Sequence, residues 1–320
     1  MRNNIKYADD ILNLYFPVLD GGFISLKDYM GSDETIVQCA RNSYSKGTKK
    51  ISNDRGLIRR LIRDKHTSPL EFAELTFHVR APLYVIQQWL RHRTNNFCSE
   101  SHRFSEIKDD FQTTNSNAWR LQNQDNKQGS DGYLSEENGK DLTKIEEELH
   151  NHIREVYNKR IENGVAREQA RKDVPHSTYL SIYIKSDLHN LLHFLKLRTA
   201  QDAQLEIRDY AHLMACMVKR VAPLSFEAFL DYAYAAKSFS RLDLELLNYI
   251  NGFNFFQIGD DTTIDTWEST YINTKCDYHE KIGMTKRELV EFFTKLTPPL
   301  IPNFDLDLSK SKTVEQMEKE

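Results

Sequence analysis

The sequence lacks the short glycine-rich motifs that mark many nucleotide-binding and hydrolytic enzymes. It has no P-loop, no Gly-x-Gly-x-x-Gly fingerprint and no nucleophile elbow. Each of these motifs holds a phosphate group or a nucleophilic side chain on a defined backbone turn. Their absence therefore disfavours a cofactor that is bound in the Rossmann manner.

Cysteine is scarce, and the four residues Cys39, Cys98, Cys216 and Cys276 form no Cys-x-x-Cys pair. This spacing disfavours a zinc knuckle and a disulfide framework, so we expect reduced thiols. Long hydrophobic runs are also missing, because no apolar stretch approaches the roughly 20 residues of a membrane span. The first residues lead into no signal-peptide core. We therefore expect a cytoplasmic protein that does not bind a membrane.

Positive charge is not in excess. The chain has 43 Lys and Arg against 47 Asp and Glu, a formal net charge of -4 and a pI of about 6.3. A general nucleic-acid binder carries a basic field over its surface, so we expect no nucleic-acid partner and at most a local phosphate-binding patch. The length of 320 residues, with 39% hydrophobic residues, is typical of a soluble globular protein with one large domain or two smaller ones.

The most informative stretch is a dense basic cluster. Arg91-His92-Arg93 is followed, after seven residues without a basic side chain, by Ser101-His102-Arg103. Arginine offers a planar fork of donors that matches phosphate and keeps its charge. Such a run is also typical of an exposed basic turn. A rigid element directly before the cluster favours a binding function, and a helical apolar stripe indicates one at Leu83, Ile86, Trp89 and Leu90.

Hydrophobic periodicity predicts both helices and strands. Alternation of Leu75, Phe77 and Val79 with polar residues predicts a strand over 71–80, and aromatic and β-branched residues predict another over 179–184. A capping box at Thr285-Lys286-Arg287-Glu288 predicts a helix, whereas the first twenty residues show no clear element. Helical spacing occurs over 32–43, 56–62, 82–90, 142–163 and 187–221, and the last range fits either one helix or two.

A polar segment over 110–140, rich in Asn, Gln and Gly, interrupts these elements. A disordered insert and a loop over a functional site have the same composition. Composition alone therefore does not distinguish these two alternatives.

Several single side chains are candidates for chemistry. His189 and His193 lie four apart, which can hold a metal, but the Glu of a zinc-protease helix is missing and no metal site is predicted. Cys98 beside guanidiniums suggests a thiolate nucleophile, although nothing supplies the rest of that arrangement. Arg198 follows apolar helical residues, so it should either pair with a carboxylate such as Glu206 or hold a ligand.

Together these pieces resemble the flavin-dependent thymidylate synthases, the ThyX family. The match rests on Arg91-His92-Arg93, seven residues and then Ser101, at the full spacing of that family's signature. Trp119-Arg120-Leu121-Gln122 and Asn126-Lys127-Gln128-Gly129-Ser130 resemble a stretch in part of the family, which favours an ordered loop over 110–140. The resemblance covers about residues 20–235 and includes flanking segments in matching order at 66–71, 76–82, 187–198 and 203–204.

The resemblance implies an α+β fold, in which mixed helices and a small, mostly antiparallel sheet form a catalytic domain over 1–236. A partly helical C-terminal extension with a polar tail is expected over 237–320. The implied reaction is the reductive methylation of dUMP to dTMP, with 5,10-methylenetetrahydrofolate as carbon donor and FAD, reduced by NADPH, as hydride donor. A homotetramer with sites shared between chains is also implied.

The resemblance also assigns site residues by position. Arg198 matches the active-site arginine, which stabilises negative charge on the uracil ring. The positions expected to bind dUMP are Gln88, Arg91, Ser101, His102, Arg103, Arg171 and Arg198. The positions expected to contact FAD are Ser43, Ser68, Arg91, His92, Arg93, Thr94, Asp187, His189 and His193. His66 is expected near the flavin and the folate.

The signature loop departs from the common pattern of the family. Asn96, Cys98 and Ser99 stand where Ser, Asn and Glu are frequent, and His102 replaces a small residue. Glu100 offers a carboxylate one place further along. Two alternatives are therefore kept: a related flavoprotein that methylates another pyrimidine nucleotide, and a non-catalytic nucleic-acid-binding protein.

Overall fold

The computed structural model of the chain describes residues 4–42, 54–107, 111–124, 127–252, 278–297 and 299–317. Its contacts divide the chain into two compact units. The first consists of Met1–Phe229 and Phe304–Glu320, and the second consists of Leu230–Asn303. The basic cluster and all segments of the resemblance up to residue 229 belong to the first unit.

Antiparallel pairing dominates the strands of the first unit. In the described residues these strands are β1 (Tyr15–Val18), β2 (Gly22–Met30), β3 (Glu74–Pro82), β4 (Asn96–Ser99), β5 (Arg120–Gln122), β6 (Ser130–Tyr133) and β7 (Tyr179–Asp187). Five of them form one sheet in the order β1-β2-β3-β7-β4, and β5 pairs with β6. Every one of these strand pairs is antiparallel. The expected α+β fold with a small, mostly antiparallel sheet is confirmed.

β3 has the alternation that its sequence predicts. Leu75, Phe77 and Val79 are completely buried, whereas the residues between them are only partly buried. The second predicted strand is also present, and β7 continues three residues beyond the predicted end at 184. The sheet therefore has one apolar face in the core and one more polar face.

The first thirty residues contain structure that their pattern does not indicate. The expectation of no clear element in the first twenty residues is wrong, because a short helix occupies Lys6–Asp9 and β1 follows. In β2, consecutive residues from Phe23 to Leu26 are all buried, and the pairing register shifts between Leu26 and Asp28. A strand that is buried on both faces and interrupted by a bulge shows no two-residue alternation.

The predicted helical ranges are found in the structure. The range 187–221 is two helices, because the chain leaves the helical conformation after Arg198 and resumes it at Leu205. No helix in the described ranges is long and apolar enough to cross a lipid bilayer. Among the residues described before 230, the α-helices are α1 (Lys6–Asp9), α2 (Asp33–Asn42), α3 (Asp54–Arg63), α4 (Leu83–Trp89), α5 (Glu136–Glu162), α6 (Arg167–Ala170), α7 (Leu188–Arg198), α8 (Leu205–Val221) and α9 (Pro223–Phe229).

The polar insert contains the hairpin of β5 and β6, which is anchored on α5. Trp119 Nε1 donates a hydrogen bond to Thr143 Oγ1 at 3.0 Å. Gly139 of α5 lies so close to the carbonyl oxygen of Ser116 that a β-carbon at this position would clash with it. The described residues of the insert therefore form an ordered loop, as the resemblance implies.

The last described segment, 304–317, packs within the first unit. Phe304 is only 4% exposed, and its ring stacks on His212 with 5.1 Å between centroids. Tyr15 and Lys312 exchange two backbone hydrogen bonds of 2.7 and 2.8 Å. This pairing covers part of the outer edge of β1, which would otherwise present unpaired backbone groups.

The second unit has a small core of its own. Its helices are α10 (Arg241–Gly252), α11 (Tyr278–Lys281) and α12 (Lys286–Leu296) in the described residues. The predicted capping box is confirmed, since Thr285 and Glu288 each accept a hydrogen bond from the backbone amide of the other. Asp243 is almost fully buried and pairs with Lys295 at 2.5 Å. The core consists of Leu246, Ile250, Met284, Leu289, Phe292 and Phe293.

Candidate active site

The basic cluster begins at the end of a rigid helix, as predicted. α4 buries Trp89, which is 1% exposed, and the chain leaves the helix just before Arg91. Arg91 and Arg93 are exposed and have no partner among the described residues. β4 then continues the chain as an edge strand beside β7, with Cys98 opposite Tyr183. The two guanidiniums are thus available to an anion.

Arg198, at the last position of α7, contacts this cluster. Its Nε donates to Nε2 of His92 at 3.1 Å, and its Nη1 and Nη2 donate to side-chain and backbone oxygens of Gln88, both at 3.4 Å. Burial lowers the pKa of Arg198, but a guanidinium remains charged at neutral pH. No carboxylate of the described ranges pairs with Arg198, so the alternative of an ion pair with Glu206 is wrong.

His92 is neutral and accepts the hydrogen bond from Arg198. Burial, together with the positive charges of Arg198 and His193, lowers the pKa of His92 to about 4. Because Nε2 is the acceptor, the proton of the neutral ring lies on Nδ1. The His92 ring lies edge-on to Phe194 at 4.9 Å and 6.0 Å from the ring of His193. Four residues that the resemblance assigned to the site, Gln88, His92, His193 and Arg198, are therefore close together.

The first turn of α7 holds further predicted residues. Asp187 caps the helix, because its carboxylate accepts from the backbone amide of Asn190 at 2.9 Å and from its side-chain amide at 2.6 Å. Asn190 also accepts from Thr94 Oγ1 at 2.8 Å, which joins this turn to the signature loop. His189 is partly buried and His193 is exposed on the same helix. No three His, Cys, Asp or Glu of the described ranges form a metal-binding group.

A cavity of about 580 Å³, the Ser101 cavity, collects predicted nucleotide-binding residues. Ser101, His102 and Arg171 line it, and so does Glu100, which the sequence offered as a replacement carboxylate. Its volume is typical of small-molecule sites. The other residues of its wall are Leu83, Ser99, Glu168, Lys172, Val174, His176, Thr178 and Leu180.

His102 and Arg103 are adjacent but have different surroundings. Burial lowers the pKa of His102, so this residue in the wall of the Ser101 cavity is neutral at pH 7. Arg103 is exposed and pairs with Glu168, itself a wall residue, at 3.0 Å. Its guanidinium therefore lies at the rim of the cavity. It could bind a ligand there by giving up its exposed ion pair with Glu168.

A separate cavity of about 690 Å³, the His66 cavity, is lined by His66 and Ser68. Ser68 begins a 3-10 turn, and after this turn Ala73 accepts a hydrogen bond from the amide of Leu188 at 2.8 Å. The start of α7 is thus tied to this segment. Ser43 lies outside the described residues. The remaining wall residues are Ala40, Leu57, Arg60, Leu61, Lys65, Thr67, Pro69 and Glu71.

A series of hydrogen-bonded side chains, which the sequence did not predict, extends from Gln88 on the side away from Arg198. Gln88 Nε2 donates to Gln204 Oε1, and Gln204 Nε2 donates to Glu206 Oε2 at 2.8 Å. Glu206 then pairs with Arg120 of β5 at 2.7 Å. The resemblance includes Arg120 and Gln204 but assigns them no role, and no sequence pattern indicates a contact between Arg120 and Glu206, which are 86 positions apart.

The geometry around Arg198 suits a ligand on which negative charge develops. Arginine has five N–H donors, and His92 and Gln88 use three of them. Two donors remain for a ligand, held in place by the contacts of the other three. Preorganised donors of this kind stabilise charge as it forms.

Comparison with known proteins gives the same assignment as the signature. The family model described as thymidylate synthase complementing protein matches residues 25–224. The flavin-dependent thymidylate synthase of Wolbachia pipientis wMel is 44% identical over 246 residues, which cover 77% of this chain and 87% of that protein. This chain belongs to the flavin-dependent thymidylate synthase family. The enzyme of that name from Thermus thermophilus is 45% identical over 235 residues, covering 73% of this chain and 85% of that protein.

Membership of the family confirms the resemblance, and the flavin dependence in its name agrees with the expected flavin. The fold agrees as well. A crystal structure of a UMP/dUMP methylase, PolB from Streptomyces cacaoi, bound with 5-Br UMP, has a TM-score of 0.61 and 29% identity. The match covers 99% of that methylase but 69% of this chain. The fold shared with this methylase therefore covers only part of the sequence.

Proposed function

We propose that this chain catalyses the reductive methylation of dUMP to dTMP with a bound flavin. The observation that carries the proposal is the placement of Arg198, whose guanidinium is held by neutral His92 and by Gln88 with two donors unused. The identity to flavin-dependent thymidylate synthases over most of the chain supports the same reaction.

Arg198 is proposed to act on the uracil ring. A uracil whose N3 loses its proton carries negative charge over N3 and its two carbonyl oxygens. The two unused donors of Arg198 can stabilise that charge, and neutral His92 adds no second positive charge in contact with the guanidinium. Gln88 is held beside the guanidinium and is proposed to contact the nucleotide.

The Ser101 cavity is proposed to bind the nucleotide phosphate and sugar. Arg171 supplies a fork of donors for the phosphate, and Ser101 and neutral His102 supply donors without net charge. Arg103 adds an exposed guanidinium at the rim of this cavity, and exposed Arg91 is assigned to the same nucleotide. Glu100 repels a phosphate but accepts from a hydroxyl, so we assign it to the sugar end of the cavity.

The residues around the start of α7 have the donors and flat surfaces that FAD requires. Neutral His92, exposed His193 and the Thr94 hydroxyl can hold uncharged ring edges, and Arg93 can pair with a pyrophosphate. When bound, FAD supplies hydride transfer, with NADPH as its reductant and 5,10-methylenetetrahydrofolate as the source of the one-carbon unit. Asp187 and His189, with Ser43 and Ser68, are the other residues assigned to this cofactor.

We assign each complete site to more than one chain of a homotetramer. In one chain, Ser68 and His66 lie in a cavity that shares no wall residue with the Ser101 cavity. The segment of His66 and Ser68 is already tied to the start of α7 within one chain. A second chain that brings its Ser101 cavity to this region would join the flavin-binding and nucleotide-binding residues, with His66 near flavin and folate.

The proposal is tested by the absorption spectrum of the purified chain and its response to substrate. We expect a flavin band at about 450 nm that NADPH bleaches without oxygen, and faster when dUMP is present. A protein that remains colourless after incubation with FAD, and binds long nucleic acid with strong salt dependence, would replace this proposal with a nucleic-acid-binding function.

A second candidate substrate is UMP, because the structurally similar PolB is named a UMP/dUMP methylase. The same bleaching experiment with UMP in place of dUMP separates the two. Acceleration by dUMP alone supports the thymidylate synthase activity, whereas equal acceleration by both nucleotides supports a broader pyrimidine methylase.

A further inference from the structure

We propose that Glu206 is a positioning residue that fixes the orientation of the Gln88 side chain, and through it the Arg198 guanidinium. The inference rests on the role proposed above for Arg198. It concerns the relay Arg120–Glu206–Gln204–Gln88–Arg198, in which each side chain is hydrogen-bonded to the next. Glu206 itself is assigned no contact with substrate or flavin.

The relay has a single hydrogen-bonding direction. Arg120 can only donate and the ionised Glu206 can only accept, so Glu206 receives hydrogen bonds from both of its neighbours. Gln204 must therefore turn its amide nitrogen to Glu206 and its oxygen to Gln88. Gln88 in turn must direct its nitrogen to Gln204 and its oxygen to Arg198.

The direction matters because a glutamine side chain can exchange the positions of its amide oxygen and nitrogen with almost no change in shape. In the reversed state the Gln88 nitrogen would face the guanidinium, and two donors would oppose each other. Arg198 would lose its side-chain acceptor and part of what holds its fork in place. The carboxylate of Glu206 excludes this state at one end of the relay.

Low solvent exposure and a neighbouring hydrogen bond fix the positions of Arg120 and Glu206, the end of the relay farther from Arg198. The side chains of Arg120 and Glu206 are only 20% and 15% exposed, so water screens their ion pair less than a surface pair. Arg120 belongs to β5, and the neighbouring Trp119 is hydrogen-bonded to Thr143 on α5. The insert at 110–140 thereby gains a function: it positions Arg120 and, through Glu206, the active-site arginine.

A simpler explanation is that Glu206 only stabilises α8. It lies in the first turn of that helix, where a negative charge interacts favourably with the helix dipole. That explanation predicts that loss of the charge lowers stability without changing dUMP binding or turnover. It also gives no reason for Gln204 and Gln88 to be oriented by Glu206.

Two isosteric variants separate these explanations. In Glu206→Gln, donors occupy both ends of the relay and no carboxylate lies between them, so one link must oppose two N–H groups and the Gln88 oxygen is no longer fixed towards Arg198. In the double variant Gln204→Glu with Glu206→Gln, the carboxylate at 204 accepts from both neighbours, and the Gln88 oxygen again faces Arg198. The matched control is Glu146→Gln, since Glu146 accepts from the Thr114 amide at 2.7 Å outside the relay.

The measurements are kcat and KM for dUMP, the dissociation constant of dUMP, flavin content and melting temperature. For Glu206→Gln we expect kcat/KM for dUMP to fall by about tenfold, the effect of one lost hydrogen bond to a charged group. The double variant should recover to within about threefold of the wild type, because it restores the direction without restoring the original ion pair. Glu146→Gln should bind and turn over dUMP as the wild type does.

Wild-type kinetics for Glu206→Gln at unchanged dUMP affinity would overturn the inference. So would a double variant that is no better than Glu206→Gln, because a purely structural role predicts no rescue. The wild-type enzyme distinguishes this failure from failure of the proposed function. If the wild type forms no dTMP, the proposed function is wrong. If the wild type is active and Glu206→Gln has the same kinetics, only the positioning role of Glu206 is refuted.

Discussion

Replacing Arg198 with alanine removes the side chain on which the proposed chemistry depends. The guanidinium contacts His92 and Gln88 with three of its donors, and two remain for the uracil. The change also leaves neutral His92 and Gln88 without this donor, but both are only half-buried and can bind water instead. We therefore expect the variant to fold and to keep its flavin.

The size of the effect follows from the two unused donors. A hydrogen bond from a charged donor contributes about 1.5–3 kcal/mol, so two of them to an anionic ring contribute about 3–6 kcal/mol at most. Each factor of ten in rate corresponds to about 1.4 kcal/mol. The predicted loss in kcat is thus about 10²-fold to 10⁴-fold, compared with about 10²-fold to 10³-fold when a single oxyanion donor is removed.

The assay is dTMP formation by liquid chromatography, with flavin content and melting temperature measured on the same sample. Arg208→Ala is the matched control, because Arg208 is a partly buried arginine of α8 that donates only to the backbone of Gln201 among the described contacts. We expect this control to retain its turnover. An Arg198→Ala variant with normal flavin content and more than about a third of the wild-type kcat would refute the reasoning.

Three further predictions follow from the described contacts. Burial lowers the pKa of His92 to about 4, so the contribution of its neutral ring to the free energy of unfolding is fully present above about pH 6.5 and is lost as the pH drops towards 4. On acidification, the melting temperature of His92→Gln should therefore fall less than that of the wild type. Cys98→Ser should keep near-normal dTMP formation because Cys98 is exposed on β4, and complete loss would restore the thiol-nucleophile hypothesis. Phe304→Ala should lower the free energy of unfolding by about 3 kcal/mol in urea titrations, and an unchanged midpoint would contradict the packing of 304–317 on the first unit.

Elements with a regular period could be predicted from the sequence. β3 and the helices over 33–42, 54–63 and 188–198 bury one face and leave the other partly or fully exposed, so their hydrophobic period predicts them. The helix over 136–162 also follows its predicted period, although Leu142, Ile145 and Leu149 of its apolar stripe are 37–59% exposed. β2 lacks this signal because both of its faces are buried around Phe23 and Leu26. β4 lacks it because Asn96–Ser99 is mostly exposed and forms a strand only by pairing with β7.

The site could be predicted only as far as the family signature reaches. The signature and its flanking segments point to Gln88, His92 and Arg198, and the structure brings them into contact. The partner of Glu206 could not be predicted, because Arg120 reaches it from a hairpin whose position depends on long-range packing. Local sequence rules describe which residues can pair, and tertiary structure decides which of them do.

The central claim is tested most directly by supplying the full-length protein with FAD, NADPH, dUMP and 5,10-methylenetetrahydrofolate that carries a ¹³C-labelled methylene group. Mass spectrometry of the nucleotide product then reports on the transferred carbon. The proposed function predicts ¹³C-labelled dTMP that is not formed by protein stripped of its bound flavin and that falls strongly in Arg198→Ala. A protein that binds both flavin and dUMP yet forms no labelled dTMP would contradict it.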